Sequence, residues 1–215
     1  MKISQNIRPS LRRVTRICVT GGIACGKSMV GAVMEELGVA VIDTDLVCHD
    51  LMRAGRPLGR RVAAAFGKSI LGADGEIDRR ILGRIVFANP GKLKRLNRLV
   101  HPAVIRTVDN WLKKQPARRG GRHLAAVLVP LVYEAGWDMA WDRIVCVGAP
   151  ACLQLERLRG RGLTAAEARV RIAAQWPVED KMRRADCVVF NGGGRQCARR
   201  QVVKIVDAIM QHVEK

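Results

Sequence analysis

The run GGIACGKS, residues 21–28, ends a short apolar stretch and opens an amphipathic one. It matches G-x-x-x-x-G-K-[ST], with Gly21, Gly26, Lys27 and Ser28 at the fixed positions. Such a loop holds the phosphates of a nucleotide. Glycine lets successive backbone N–H groups turn inward around phosphate oxygens with no side chain in the way. A helix starting at Lys27 adds the positive end of its dipole. The Lys27 ammonium reaches the β- and γ-phosphates, and the Ser28 hydroxyl ligates Mg²⁺. Gly22, Ile23, Ala24, Cys25 and Met29 complete the expected nucleotide-binding segment. Cys25 is read there as a tolerated small residue, although a helix N-terminus does lower a thiol's pKa. Further on, VIDTD sets Asp43 and Asp45 one residue apart. A carboxylate beside a transferred phosphoryl group can take the proton of an acceptor hydroxyl, which suits a small-molecule kinase. The competing use of either acid is to cap the next helix.

These residues need elements to hold them. RICVT (16–20) reads as a buried strand, being short, β-branched and followed by glycines. Residues 27–37 read as a helix, with Met29, Val30, Val33, Met34 and Leu37 at helical spacing and Gly38 as its stop. VAVID reads as a second buried strand, so both aspartates lie beyond a strand's carboxyl end, where α/β sheets bind ligands. From 45 to 115 the pattern turns helical. Pro57 suits a first turn, Asp78 suits a cap, and Pro102 kinks or restarts the long stretch from Asn89. QPARRGGR (115–122) is a basic loop. HLAAVLVP, WDRIVCVGA and ADCVVFNGGG add three more strands. PACLQLERLRGRG is a helix, Thr164 and Glu167 form a capping box, and 195–213 form a closing amphipathic helix. The expected fold is α/β: a five-stranded parallel sheet covered on both faces by helices, with a helical insertion.

Composition narrows the classes. The chain has 215 residues, 48% hydrophobic and 27% charged, as in globular proteins, which argues against disorder throughout. No run approaches the ~18 apolar residues of a membrane span. The formal charge of +19 argues for polyanionic partners or a solvated basic surface, while aromatic residues at 4% weaken a base-stacking surface. Nucleic acid is therefore expected only as an incidental electrostatic partner. The seven cysteines (18, 25, 48, 146, 152, 187 and 197) show no C-x-x-C spacing, which leaves a structural zinc site unsupported and fits a reducing, cytoplasmic setting. The first 16 residues carry five basic residues and no acid; they lack a secretory apolar stretch and read as a ragged basic extension or an early start codon. No N-K-x-D or D-x-x-G of a regulatory GTPase occurs, and the strand AAVLVP ends without the acid of a motor or transporter ATPase.

The run VTGGIACGKSMVGAVMEELGVAVIDTDLVCHDLMRAGRP resembles the opening of the dephospho-CoA kinase family. FGKSILGADGEIDRRILGRIVFANP, LNRLVHPAV, VLVPLVYE, QLERLRGRG and ADCVVFNGG follow in the family's order, so the likeness covers about residues 16 to 195. The resemblance implies a single P-loop kinase domain. Its core would be about 16–45, 122–153 and 176–213, its CoA-binding helical insertion about 46–115, and its lid about 154–175. It implies ATP and Mg²⁺ as cofactors and transfer to the ribose 3′-hydroxyl of dephospho-CoA, the last step of CoA synthesis. On that mapping Asp45 is the general base and Asp43 an orienting or magnesium-shell acid. Lys27 acts with Arg157 and Arg161, which neutralise the triphosphate as the lid closes. Asn191 falls near the adenine. Arg79 and Arg80 fall near the CoA pyrophosphate, and His101 and Glu134 near the substrate, although a solvated face, a structural histidine and a helix cap are the alternatives for these. Three positions depart from the family: Met29 where threonine is common, Tyr133 for phenylalanine, and Leu128 where many members carry an aspartate. The alternative readings are another small-metabolite or nucleoside kinase, and a basic nucleic-acid-associated ATPase.

Overall fold

In the computed structural model, which describes residues 14–115 and 123–212, the β-branched run after Val14 forms strand β1, Thr15–Gly21, buried from Ile17 onward. It lies at the centre of five parallel strands in the order β2-β3-β1-β4-β5. The other strands are β2 (Ala40–Asp43), β3 (Leu124–Leu128), β4 (Arg143–Gly148) and β5 (Cys187–Phe190). Gly21 pairs with Val147 of β4, and Asp43 with Leu128 of β3, so the strand ends that carry the loop and the acids lie on one edge of the sheet. Of the basic extension read over the first 16 residues, residues 1–13 lie outside the described residues, as does nearly all of the basic loop at 115–122, whereas Thr15 and Arg16 already belong to β1.

One face of the sheet is covered by α1 (Lys27–Glu36) and α9 (Arg195–His212). Val30, Val33 and Met34 of α1 and Val202, Val206 and Ile209 of α9 enter one core with Ile17, Val19 and Leu128. Each such side chain contributes about 1.5–3 kcal/mol by leaving water. The opposite face receives the helical block: α2 (Thr44–Leu51), α3 (Pro57–Phe66), α4 (Arg79–Phe87) and α5 (Pro90–Lys113). Val100, Val104 and Val108 of α5 share a core with Cys18 of β1 and Val127 of β3, so the insertion is fused to the sheet. After β4 come α6 (Ala151–Arg159), α7 (Ala165–Ala173) and α8 (Val178–Arg184).

Most local readings hold, with their causes visible. Pro57 stands at the first position of α3, Asp78 caps α4 by accepting from the N–H groups of Arg80 and Ile81, and Thr164 and Glu167 form the reciprocal capping box of α7. Pro102 does not restart its helix, which runs from Pro90 to Lys113 with the proline inside it. The helix α8 was absent from the sequence reading, because its seven residues are mostly charged. Coverage of both sheet faces is complete only in the middle. All four residues of β2 are half-buried, and Val188 and Phe190 of β5 are exposed, because both strands are edges. The outer edge of β5 is closed at one point by Gln201, whose side-chain oxygen accepts from the Phe190 N–H at 2.9 Å and whose amide donates to the Phe190 carbonyl at 3.1 Å. Such a plug blunts an open strand edge. Among the described residues no helix is long and apolar enough to cross a membrane.

Candidate active site

The phosphate loop leaves β1 at Gly21 (φ 142°) and enters α1 through Gly26 (φ 101°), with Ala24 in the left-handed region at φ 59°. Ala24 carries backbone strain of about 1–3 kcal/mol, which persists only where surroundings over-determine it. Those surroundings are two donors on the loop's outer side. Arg157 of α6 donates from Nη1 to the Ala24 carbonyl at 3.0 Å, and Asn191 donates from Nδ2 to the Cys25 carbonyl at 2.8 Å. Arg157 also donates from Nη2 to the Asn191 carbonyl at 3.2 Å. A trans peptide sets N–H opposite C=O, so fixing the Cys25 carbonyl outward turns the Gly26 N–H the other way. The Lys27 ammonium donates to the carbonyls of Gly21 at 3.1 Å and Gly22 at 2.9 Å. Burial lowers its pKa from the ordinary lysine value; Lys181 adds to this and Asp45 opposes it. Cys25 is fully buried in the core beneath α1, and burial raises its thiol pKa against the pull of Lys27 and of the backbone at Ala149 and Gly22. It is thus an inert packing residue, as a small apolar side chain would be.

Three consecutive residues after β2 do three different things. Asp43 caps α2, its side chain accepting from the Asp45 N–H at 2.8 Å. Thr44 is buried and donates its hydroxyl to the Leu128 carbonyl at 2.8 Å, tying the helix start to β3. Asp45 faces the cleft. Its residue surface is open, yet the cleft walls crowd the carboxyl. Desolvation, foremost, and the neighbouring Asp43 charge raise its pKa above the usual carboxylate value, while Lys27 and Arg79 pull it down. Leu128, at the family's acidic position, is 4% exposed and packed beneath α1, so its side chain is core and not site.

A cavity of about 540 Å³ joins these groups. Ile23, Ala24, Gly26, Lys27, Ser28, Met29 and Asp45 line it. So does α5, where Asn97, His101 and Ile105 form a stripe beside the buried Val100 and Val104. Burial lowers the His101 pKa, so its ring is neutral near pH 7. Arg161, just past α6, also lines the cavity, as does Gln175, whose side-chain oxygen accepts from the Ile23 N–H at 3.0 Å. Arg79 lies within electrostatic reach of Asp45 and Cys48. Arg80 instead sets its charge beside Asp78. Asn191 is buried at 7% exposure, its amide engaged by the loop. Glu134 is turned away from the cavity and pairs with Lys181 of α8 at 2.6 Å.

The sequence reading picked out His101 but not Thr44, Gln175, Lys181, or the Asn97 and Ile105 that flank His101 on its stripe. Only the stripe left a signal: apolar and half-polar residues at 97, 101 and 105 run beside those at 96, 100, 104 and 108, a face wider than one core seam requires. Among the described residues, no three His, Cys, Asp or Glu side chains cluster so as to hold a metal ion. The donor set instead fits a magnesium that arrives with the nucleotide, bound by phosphate oxygens, water and one hydroxyl, that of the exposed, cavity-lining Ser28.

A family model described as dephospho-CoA kinase matches residues 15–196. The chain is 44% identical over 191 residues to a dephospho-CoA kinase of Geobacillus kaustophilus, covering 88% of this chain and 94% of that one. A Thermus thermophilus structure superposes with TM-score 0.77 at 31% identity, covering 92% of this chain and 98% of its own. The dephospho-CoA kinase structure from Campylobacter jejuni superposes with TM-score 0.63 at 27% identity, with the same coverage.

Proposed function

The chain belongs to the dephospho-CoA kinase family, and from that premise we propose how its residues share the transfer of a phosphoryl group from ATP to the ribose 3′-hydroxyl of dephospho-CoA. The observation that supports the division is one cavity lined together by Lys27, Ser28, Asp45 and the α5 stripe of Asn97, His101 and Ile105.

ATP lies with its β- and γ-phosphates on the loop amides and the Lys27 ammonium. A magnesium ion bound at the Ser28 hydroxyl would neutralise charge on the same phosphates. The acceptor fills the space between Asp45 and α5, its ribose hydroxyl facing the Asp45 carboxylate. As the hydroxyl oxygen bonds to the γ-phosphorus, the bond to the β,γ-bridging oxygen breaks and ADP leaves. The hydroxyl proton goes to Asp45. Arg161 supplies positive charge to the transferring group from the lid side. Arg157 acts one step back: its grip on the Ala24 and Asn191 carbonyls keeps the loop in its strained form and joins lid to loop. Arg79 stands where a pyrophosphate of the acceptor would pass near Asp45, and its charge also tempers the Asp45 pKa. Asp43 holds the start of α2 and, by its charge, raises the pKa of the base.

That last role has a measurable sign. The base must be ionised, so kcat/KM falls as pH drops through its pKa, here raised above the ordinary carboxylate value. Asp43→Asn keeps an oxygen to accept from the Asp45 N–H but removes the charge. Its acid limb should therefore move to lower pH, and a limb that stays in place would separate Asp43 from the base.

The substrate assignment is tested by coupled ADP release with dephospho-CoA, with nucleosides and with single-stranded DNA. Turnover is expected with dephospho-CoA alone. Turnover with a nucleoside alone would make this another small-metabolite kinase, and turnover only with DNA would make it a nucleic-acid-dependent ATPase.

A further inference from the structure

The Lys181 side chain is wholly buried, and although its charge reaches Lys27, its ammonium group makes no hydrogen bond to the phosphate loop or to α5. It sits at a junction. Its Nζ meets Glu134 Oε1 at 2.6 Å and donates to the Pro130 carbonyl at 3.0 Å. The same Glu134 oxygen accepts from the Trp176 N–H at 2.9 Å. Trp176 is the residue between Gln175, which holds the Ile23 N–H of the phosphate loop, and Pro177, which caps α8. The C-terminal end of the lid is therefore pinned twice in succession. Gln175 pins it to the loop, and Glu134 pins it to the segment that follows β3. The second Glu134 oxygen is buried with no partner.

A buried ion pair is a poor way to gain stability, because desolvation offsets the attraction and an apolar pair of similar volume does as well. One carboxylate oxygen left unpartnered makes this pair worse still as a stabiliser. What the pair does provide is direction. A single charged oxygen of Glu134 holds a backbone N–H and an ammonium at once, which an apolar pair would leave free to slide. We propose that Lys181 and Glu134 are positioning residues of the kinase, fixing the lid's C-terminal hinge so that Arg161 and Gln175 stand over the phosphate loop. Neither is among the residues that line the cavity. The inference rests on the kinase reading only for the purpose of the lid, and ATP affinity can be read without any acceptor.

The test compares Lys181→Met, the double variant Lys181→Met with Glu134→Met, and Glu134→Asp. Each is measured for Tm, for affinity toward a fluorescent ATP analogue, and for hydrogen exchange in peptides covering 160–176. Lys181→Met strands a buried carboxylate and should lose Tm. The double variant removes both charges and should recover Tm. Positioning predicts that it nevertheless binds the analogue about fivefold more weakly and exchanges faster at 160–176, a coupling of the size such linked elements show. A purely structural pair predicts that affinity and exchange recover with Tm, which would overturn the proposal. Should the double variant not fold, Glu134→Asp decides. Its shortened arm keeps the charge but cannot span Trp176 and Lys181, so unchanged affinity and exchange in a folded protein would overturn the proposal equally. Failure of the dephospho-CoA assignment would appear only in the ADP-release assay and leave these readouts untouched.

Discussion

Asp45→Asn is expected to bind ATP as tightly as the unaltered chain, or slightly more tightly, and to lose about 10²–10⁴-fold in kcat. The asparagine is isosteric and lies in the first turn of α2, where Asp43 and Thr44 hold the backbone without help from the residue-45 side chain. The fold and the loop should thus be untouched. What disappears is the proton acceptor. The amide has no basic oxygen, so the acceptor hydroxyl must attack without giving up its proton to the protein. Loss of a negative charge near Lys27 relieves repulsion toward the triphosphate, so ATP affinity does not fall. Calorimetry with ATP and steady-state ADP release separate the two quantities. A kcat within about threefold of the parent, against the loss a general base confers, would assign the proton to another group.

The second large effect is on folding. Gly21→Ala should cost more than about 4 kcal/mol, beyond the usual range for a single substitution. At Gly21 the backbone has φ 142°, which L side chains rarely adopt, and a Cβ there would lie 2.1 Å from the carbonyl oxygen of Val147 on β4. That neighbour is backbone in register with Gly21 at the centre of the sheet, so it cannot swing aside. Relief requires β1 and β4 to part just where the phosphate loop begins. Urea unfolding should show a midpoint shifted far down, and ATP binding should fail with it. A variant of near-parental stability would mean that the strand end yields more readily than close packing allows.

The phosphate loop was legible because its chemistry needs fixed residue types at fixed spacing. Glycines must stand where Cβ atoms would collide, and the Lys-Ser pair must open a helix. The caps at Asp78 and Thr164 and the first-turn prolines were legible for a similar reason, since each is a contact within a few residues of chain. The D-T-D run was only half legible. Its types announced an acid beside a phosphoryl group, but which aspartate capped the helix depended on where α2 begins. The structure gives the cap to Asp43 and the cleft to Asp45. Lys181 left no signal. A lysine in a charged seven-residue helix reads as solvent-facing, and only its contact with Glu134, distant in the chain, shows otherwise.

The amino-acid sequence by itself determined the periodicities, the turns and the phosphate loop, and through the order of its motifs the family. These are properties of short segments, set by φ/ψ preferences, capping and the 3.6- and 2-residue repeats. Tertiary structure alone decided that Arg157 grips the Ala24 carbonyl, that Asn191 braces Cys25, and that Lys181 lies buried. Each joins residues far apart in the chain through groups that many side chains of the same type could supply. Their identity is fixed by distance and desolvation once the sheet has brought its strand ends together.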